Sequence, residues 1–428
     1  MRGSGLRREI GPVGAAVLAF NGIVGAAIFA LPGTLHEKFG AFSPWLFPLI
    51  GAAALLIVLP LARLAALHKE TGGPVAYAAP FGRFVAFETG WLYCLARWSA
   101  MAANANVFAI YAATLWAPAG GKAGRAAAIL LLVAALTAIN MIGLRRALRM
   151  LDAVTVIKAL PLLALAIWGL LAAGAIPAPG PLPSLSAMDA TVLLVLYAFV
   201  GFENALVPAG ETENPRRNIP RALIATVIGM ALVYFLIQLA YVSVMPAGPA
   251  PTAPLAAFAQ VLVGPAGAAL IAVVALASVT GNIGSTMTST PRVTYALAQQ
   301  GSLPAWFGRV SPRWATPANS VLFMGLVVAA LALSGSFIWL AVLSTLARLA
   351  AYVVSIAALP KTEKAGPATI VLMVAGIGIC LWAASQSSWQ AWAALGGAFV
   401  AGALLYAGSS SAGTVSSIQP PPSTRSPS

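Results

Sequence analysis

The sequence predicts an all-α integral membrane protein of twelve transmembrane helices, and three observations carry that prediction. Of 428 residues, 60% are hydrophobic and only 8% charged, where soluble domains run roughly 45–50% and about 25%. Mean hydropathy is +0.90. The apolar residues fall into runs of about 20 or more, the length that crosses a hydrocarbon core of roughly 30 Å. No soluble core absorbs that much apolar surface while leaving enough charge to face water. An open backbone finds no partners in lipid, so the spans are helices.

Taken in order, the spans lie near 12–34, 42–66, 84–116, 124–143, 152–175 and 188–207 in the first half. The second half supplies 219–245, 254–290, 317–334, 336–359, 367–385 and 389–407. The first run, after MRGSGLRRE, is longer than the apolar core of a signal peptide and reads as a retained span. Residues 408–428, rich in Ser and Pro at their end, lack the apolar content to fold and read as a disordered cytoplasmic tail.

Net charge is +14, yet the basic residues are strung between apolar runs rather than gathered on a polar domain, which argues against nucleic acid. They orient the chain instead. Eighteen of the 24 Lys and Arg fall on one side of the twelve-span layout, and only Lys38, Lys122 and Arg125 on the other. Three more, Arg97, Lys158 and Arg348, sit inside spans. Cytoplasmic loops carry the excess of positive charge, so both termini are expected in the cytoplasm and the protein in the cell membrane. An odd number of spans would have mixed the two sides.

Cys94 and Cys380 lie in apolar runs, and His36 and His68 in separate connecting segments. These give neither a disulfide framework nor a metal site, and no cofactor is expected. No HExxH, GxSxG or GxxxxGK[ST] occurs, which speaks against an enzyme and against built-in ATP hydrolysis. Nor is there a TVGYG-like filter of an ion channel.

Two spans carry Gly-rich interruptions at corresponding places. The first reads FNGIVGAAIFALPG (20–33) and the sixth YAFVGFENALVPAG (197–210), each with a proline downstream. Paired interruptions opening two halves of a transporter mark a binding site at the bilayer midplane. Unwinding a helix frees N–H groups on one side of the break and C=O groups on the other. The first suit a carboxylate and the second an ammonium. Asn21 in one break and Glu203 in the other add polarity.

Four blocks in order, GIVGAAIFALPG (22–33), GGPVAYAAPFG (72–82), FVGFENALVPAGETENPRRNIPRAL (199–223) and TPRVTYALAQQGSLP (290–304), resemble the amino acid–polyamine–organocation superfamily of permeases. The resemblance implies a LeuT-like five-plus-five inverted repeat with broken helices one and six. Residues 12–175 would form the first repeat, 188–359 the second, and 367–407 two peripheral spans after an N-terminal segment 1–11. It implies amino-acid transport by alternating access. By the same resemblance, Gly22, Ile23, Gly25, Ala26 and Ala27 belong to the substrate site, the backbone amides near Gly25–Ala27 holding the carboxylate. Ala27 replaces the second glycine of the family's Gly-x-Gly, which implies a tighter approach or a smaller substrate. The carbonyls of Tyr197, Ala198, Phe199, Val200 and Gly201 take the amine, with Tyr197 as an aromatic gate.

Charges within spans cost on the order of 2.5–3.5 kcal/mol each and need a reason. Lys158 either snorkels to the headgroups or, as the resemblance implies, fills the place of a structural sodium ion against the first break and span-eight hydroxyls such as Ser285. Glu203 is either a structural partner of Arg97 or Arg348, or the acidic residue that some family exchangers use to sense protons. Glu88, at the start of the third span, reads as interfacial. The expected function is proton-coupled, sodium-independent symport of a neutral amino acid, the small Ala26, Ala27 and Ala198 setting the size. The alternative is an exchanger of amino acids or amines without ion coupling. Substrate, protons and the bilayer are the expected partners.

Overall fold

The computed structural model describes residues 19–20, 22–67, 73–143, 159–206, 212, 214–362 and 366–412. These are almost entirely helical. The main helices are α1 (Ala27–Phe39), α2 (Leu46–Leu67), α3 (Arg83–Leu115), α4 (Lys122–Met141), α5 (Ala159–Ala172), α6 (Thr191–Tyr197) and α7 (Pro215–Val244). They continue as α8 (Pro254–Val263), α9 (Pro265–Ser289), α10 (Pro291–Gln299), α11 (Ala318–Ser334), α12 (Phe337–Ala357), α13 (Pro367–Ser385) and α14 (Trp389–Ala412).

Seven helical stretches among the described residues are long and apolar enough to cross a bilayer, from Ala27–Leu67 to Trp389–Ser409. Three shorter apolar helices lie at Leu160–Ala172, Pro254–Val263 and Ala318–Ser334. The chain is therefore a multi-pass membrane protein. Large apolar side chains such as Leu131, Leu171, Val371 and Leu404 point outward. In water such a surface would be an aggregation hazard, and in lipid it is the solvated face.

Helix α3 is the axis of the bundle. It is 33 residues long, about 50 Å at 1.5 Å per residue. It packs lengthwise on α12 and α9, while α7 packs on α2 and α5. Twenty-three of its residues are buried, Glu88, Arg97, Asn104 and Asn106 among them. A helix buried on all sides has room for polar side chains only where facing helices supply partners.

Two sequence expectations change. The single span at 254–290 is two helices, because Gly264 takes φ 77° and Pro265 starts α9 anew. Helix α14 runs to Ala412, into the stretch read as tail. Glu88, near the start of α3, is covered by protein rather than open: it is 4% exposed and lies against Gly402 of α14, where an added Cβ would stand 2.9 Å from its carboxylate. Outside the core, Lys38 at the end of α1 donates to Asp189 at 2.6 Å and to Thr191 at 3.1 Å. That contact joins the two interrupted segments at one end.

Candidate substrate site

In the first interruption, the Val24 N–H closes a helical turn on Phe20 O at 3.0 Å, but the Gly25 N–H reaches back only to Ile23 O at 2.9 Å. The helix then restarts at Ala27. Its N-cap, Ala26, has no side chain to satisfy the first-turn amides, and such amides have no partner within their own helix. Ala26 and Ala27 line a cavity, so this positive helix end looks into it.

In the sixth segment, α6 ends by tightening. Ala198 N–H bonds Val195 O at 3.0 Å and Phe199 N–H bonds Leu196 O at 2.9 Å. Gly201 takes φ 111°, a conformation that glycine adopts without steric cost. Its N–H would close the next helical turn on Tyr197 O, but it donates instead to Glu203 Oε2 at 2.6 Å. The carboxylate thus holds the helix open. Its other oxygen accepts from Arg348 Nε of α12 at 2.8 Å. Arg348 also donates to Ser344 Oγ and, at 3.5 Å, to Ala96 O. Glu203 is fully buried and Arg348 is 4% exposed. A buried charge pair of this kind holds its geometry, since removing one partner leaves the other uncompensated.

The two interruptions meet at their glycines. A Cβ on Gly22 would fall on the carbonyl oxygen of Gly201, and one on Gly201 would fall on that of Gly22. Beside this crossing lies a cavity with about 410 Å³ of empty space, its mouth included. It is lined by Gly22, Ile23, Gly25, Ala26 and Ala27 from the first interruption, and by Tyr197, Val200, Gly201 and Asn204 from the sixth. Helix α3 adds Arg97, Ala100 and Asn104, α9 adds Asn282 and Thr286, and α12 adds Arg348.

Arg97 is 4% exposed and fully engaged. Nε donates to Thr290 Oγ1 at 2.7 Å, one terminal nitrogen to Ser289 Oγ at 2.7 Å, and the other to Tyr93 Oη at 2.9 Å and Asn204 Oδ1 at 3.3 Å. Asn282 donates to Gly22 O at 3.3 Å and accepts from Asn104 at 3.4 Å. Tyr197 Oη donates to Ala100 O at 3.4 Å.

Of the residues expected from the sequence, eight therefore line one cavity: Gly22, Ile23, Gly25, Ala26, Ala27, Tyr197, Val200 and Gly201. Ala198 and Phe199 do not. The Phe199 ring turns away, against Tyr234 at a centroid distance of 5.9 Å and over Gly51. Glu203 lies behind the lining rather than in it, with Arg348 as its partner. Ser285 does not line the cavity, and the carbonyl of Gly22 is held by Asn282 one turn away on α9. Lys158 lies outside the described residues. Asn104, Asn204, Asn282 and Thr286 escaped the sequence reading. The signal was present, because uncharged polar residues deep in apolar spans need partners, but it does not say which helix face they occupy.

The amino acid permease family model matches residues 10–384. An uncharacterized transporter of Mycobacterium tuberculosis (strain H37Rv) is 30% identical over 338 residues, covering 76% of this chain and 74% of its own length. An uncharacterized transporter of Mycobacterium bovis matches equally. The cadaverine/lysine antiporter of Escherichia coli (strain K12) is 27% identical over 349 residues, 79% of this chain and 76% of its own length. With that match and the two interrupted helices enclosing a cavity, the chain belongs to the amino acid permease family of the amino acid–polyamine–organocation superfamily.

Proposed function

We propose that this chain is a secondary active transporter that moves amino acids across the cell membrane by alternating access, and that the cavity between the two interruptions is its substrate site. The observation that carries this reading is the apposition of the two interruptions at Gly22 and Gly201 around a cavity that offers opposite polarities. The amides that open α1 suit a carboxylate. The carbonyls of the 197–201 stretch suit an α-ammonium, Tyr197 O in particular, because Glu203 diverts the amide that would close on it. A zwitterion bridges the two and ties the interruptions together, which makes occupancy a condition for the rearrangement that exposes the other side.

The architecture proposed is twelve spans in a five-plus-five inverted repeat, residues 12–175 and 188–359, with two peripheral spans in 367–407 and both termini cytoplasmic. Proton-coupled, sodium-independent symport of a neutral amino acid is the favoured mode. Glu203 is suited to coupling, since protonation would remove the charge that pairs with Arg348 and weaken the hold on the Gly201 amide. Lys158 would supply the cation that other members take as sodium. Exchange is the second reading, favoured by the similarity to the cadaverine/lysine antiporter.

Proteoliposomes holding purified protein separate the two modes. Symport gives concentrative uptake of radiolabelled amino acid driven by an inward proton gradient into vesicles free of amino acid. Exchange gives uptake that ignores the gradient and requires internal amino acid. Absence of uptake under both conditions would overturn the transporter reading.

A further inference from the structure

The charges around the cavity do not balance. Arg97 and Arg348 both line it, and among the described residues no Asp or Glu does. Glu203, the one carboxylate close by among the described residues, has both oxygens engaged, one by Arg348 and the other by the Gly201 amide. That pair is neutral taken together. Arg97 is then left as one positive charge whose four polar contacts, Thr290, Ser289, Tyr93 and Asn204, are uncharged. Among the described residues no carboxylate lies within ion-pair distance of it. A guanidinium does not shed its proton in a protein, so the charge is fixed.

We infer that Arg97 is the residue that sets the charge class of the substrate. It admits amino acids whose side chains are uncharged or acidic and excludes cationic amino acids and diamines. The inference rests on the reading of this cavity as the substrate site. Its physics is Coulombic: like charges about 8 Å apart at an effective dielectric of about 20 weaken a binding constant by roughly 30-fold. A zwitterion escapes most of this, because its carboxylate meets the positive field together with its amine. A second ammonium has no carboxylate to meet. The consequence separates this chain from a relative whose name states cadaverine and lysine.

Two further features hold the Arg97 charge at the cavity. Its contacts fix it in place: Tyr93 lies one helical turn before it on α3, with the ring 5.5 Å from the guanidinium. And it touches Asn204, itself a lining residue just beyond the sixth interruption.

Binding of the twenty amino acids and of cadaverine to the purified full-length protein, by thermal shift and then isotherms for the hits, tests this. In the wild type, lysine, arginine and cadaverine should bind at least tenfold more weakly than the best uncharged amino acid. Arg97→Gln should raise the ratio of cation affinity to uncharged affinity roughly 30-fold, and Arg97→Lys should leave it near wild type. A strut would instead lower all affinities together and leave the ratio unchanged, which overturns the inference. So does a wild type that binds lysine or cadaverine as tightly as uncharged amino acids, a result readable even if the Gln variant fails to fold. If the wild type binds no amino acid, the transporter reading falls and this inference with it. Tight lysine binding would overturn the inference alone.

Discussion

Replacing Gly22 by alanine tests the apposition of the two interruptions. The added carbon falls on the Gly201 carbonyl, 2.9 Å from its carbon atom and 2.8 Å from Asn204 Nδ2. Ordinary contact needs roughly 3.5–4.0 Å between carbon atoms, so the backbones must part by on the order of 1 Å. A shift of the Asn204 side chain alone does not relieve this, since the nearest atom is main chain. Overpacking of this kind costs about 1–3 kcal/mol, and parting the strands also strains the 3.3 Å bond from Asn282 to Gly22 O. If the conformation that binds substrate bears this cost, affinity falls roughly 5- to 150-fold at about 1.4 kcal/mol per tenfold. Isotherms on the detergent-purified variant, monodisperse by size exclusion, give the number. Gly229→Ala is the control, because nothing lies within 4 Å of its added carbon. Unchanged affinity in Gly22→Ala, or an equal loss in the control, would refute the reasoning.

Three further substitutions probe the same site. Gly25→Val should abolish binding, because its Cβ already stands 3.3 Å from Asn104 Oδ1 and 3.4 Å from Asn282 Nδ2, and the branch would fill the cavity; normal affinity in an inserted variant contradicts this. Glu203→Gln keeps an acceptor for the Gly201 amide but loses the charge facing Arg348, so transport should persist with a flattened pH profile; a wild-type profile makes Glu203 a purely structural partner. Lys158→Arg should not support gradient-driven uptake, since arginine cannot release its proton, and wild-type uptake should be indifferent to replacing sodium by choline. Wild-type behaviour of the Arg variant would favour a snorkelling lysine, and a sodium requirement would defeat the coupling scheme.

What the sequence disclosed follows from what one chain can encode locally. The interruptions at 20–33 and 197–210 were legible because glycine, small residues and a following proline mark unwinding without knowledge of neighbours. The pairing of Glu203 was not legible. Arg97 and Arg348 are both deep in spans, and only the packing of α12 against α6 and the interruption that follows it brings Arg348 to the carboxylate. The same limit hid Asn104 and Asn282, which meet across α3 and α9 at a separation of 178 positions. Phe199 shows the reverse failure. It lies inside the correct motif, yet an unwound segment turns successive side chains in different directions, and this one went to Tyr234. The division of 254–290 at Gly264 was written in the Gly-Pro pair at 264–265, but an unbroken apolar run outweighed it.

A cryo-electron microscopy structure with the tightest-binding amino acid tests the central claim most directly. The account predicts ligand density between Gly22 and Gly201, with the carboxylate about 3 Å from the amides of Ala26–Ile28 and the amine on carbonyls of the 197–201 stretch. Density at a different site, or a bound protein in which those amides and carbonyls face no ligand, would contradict it.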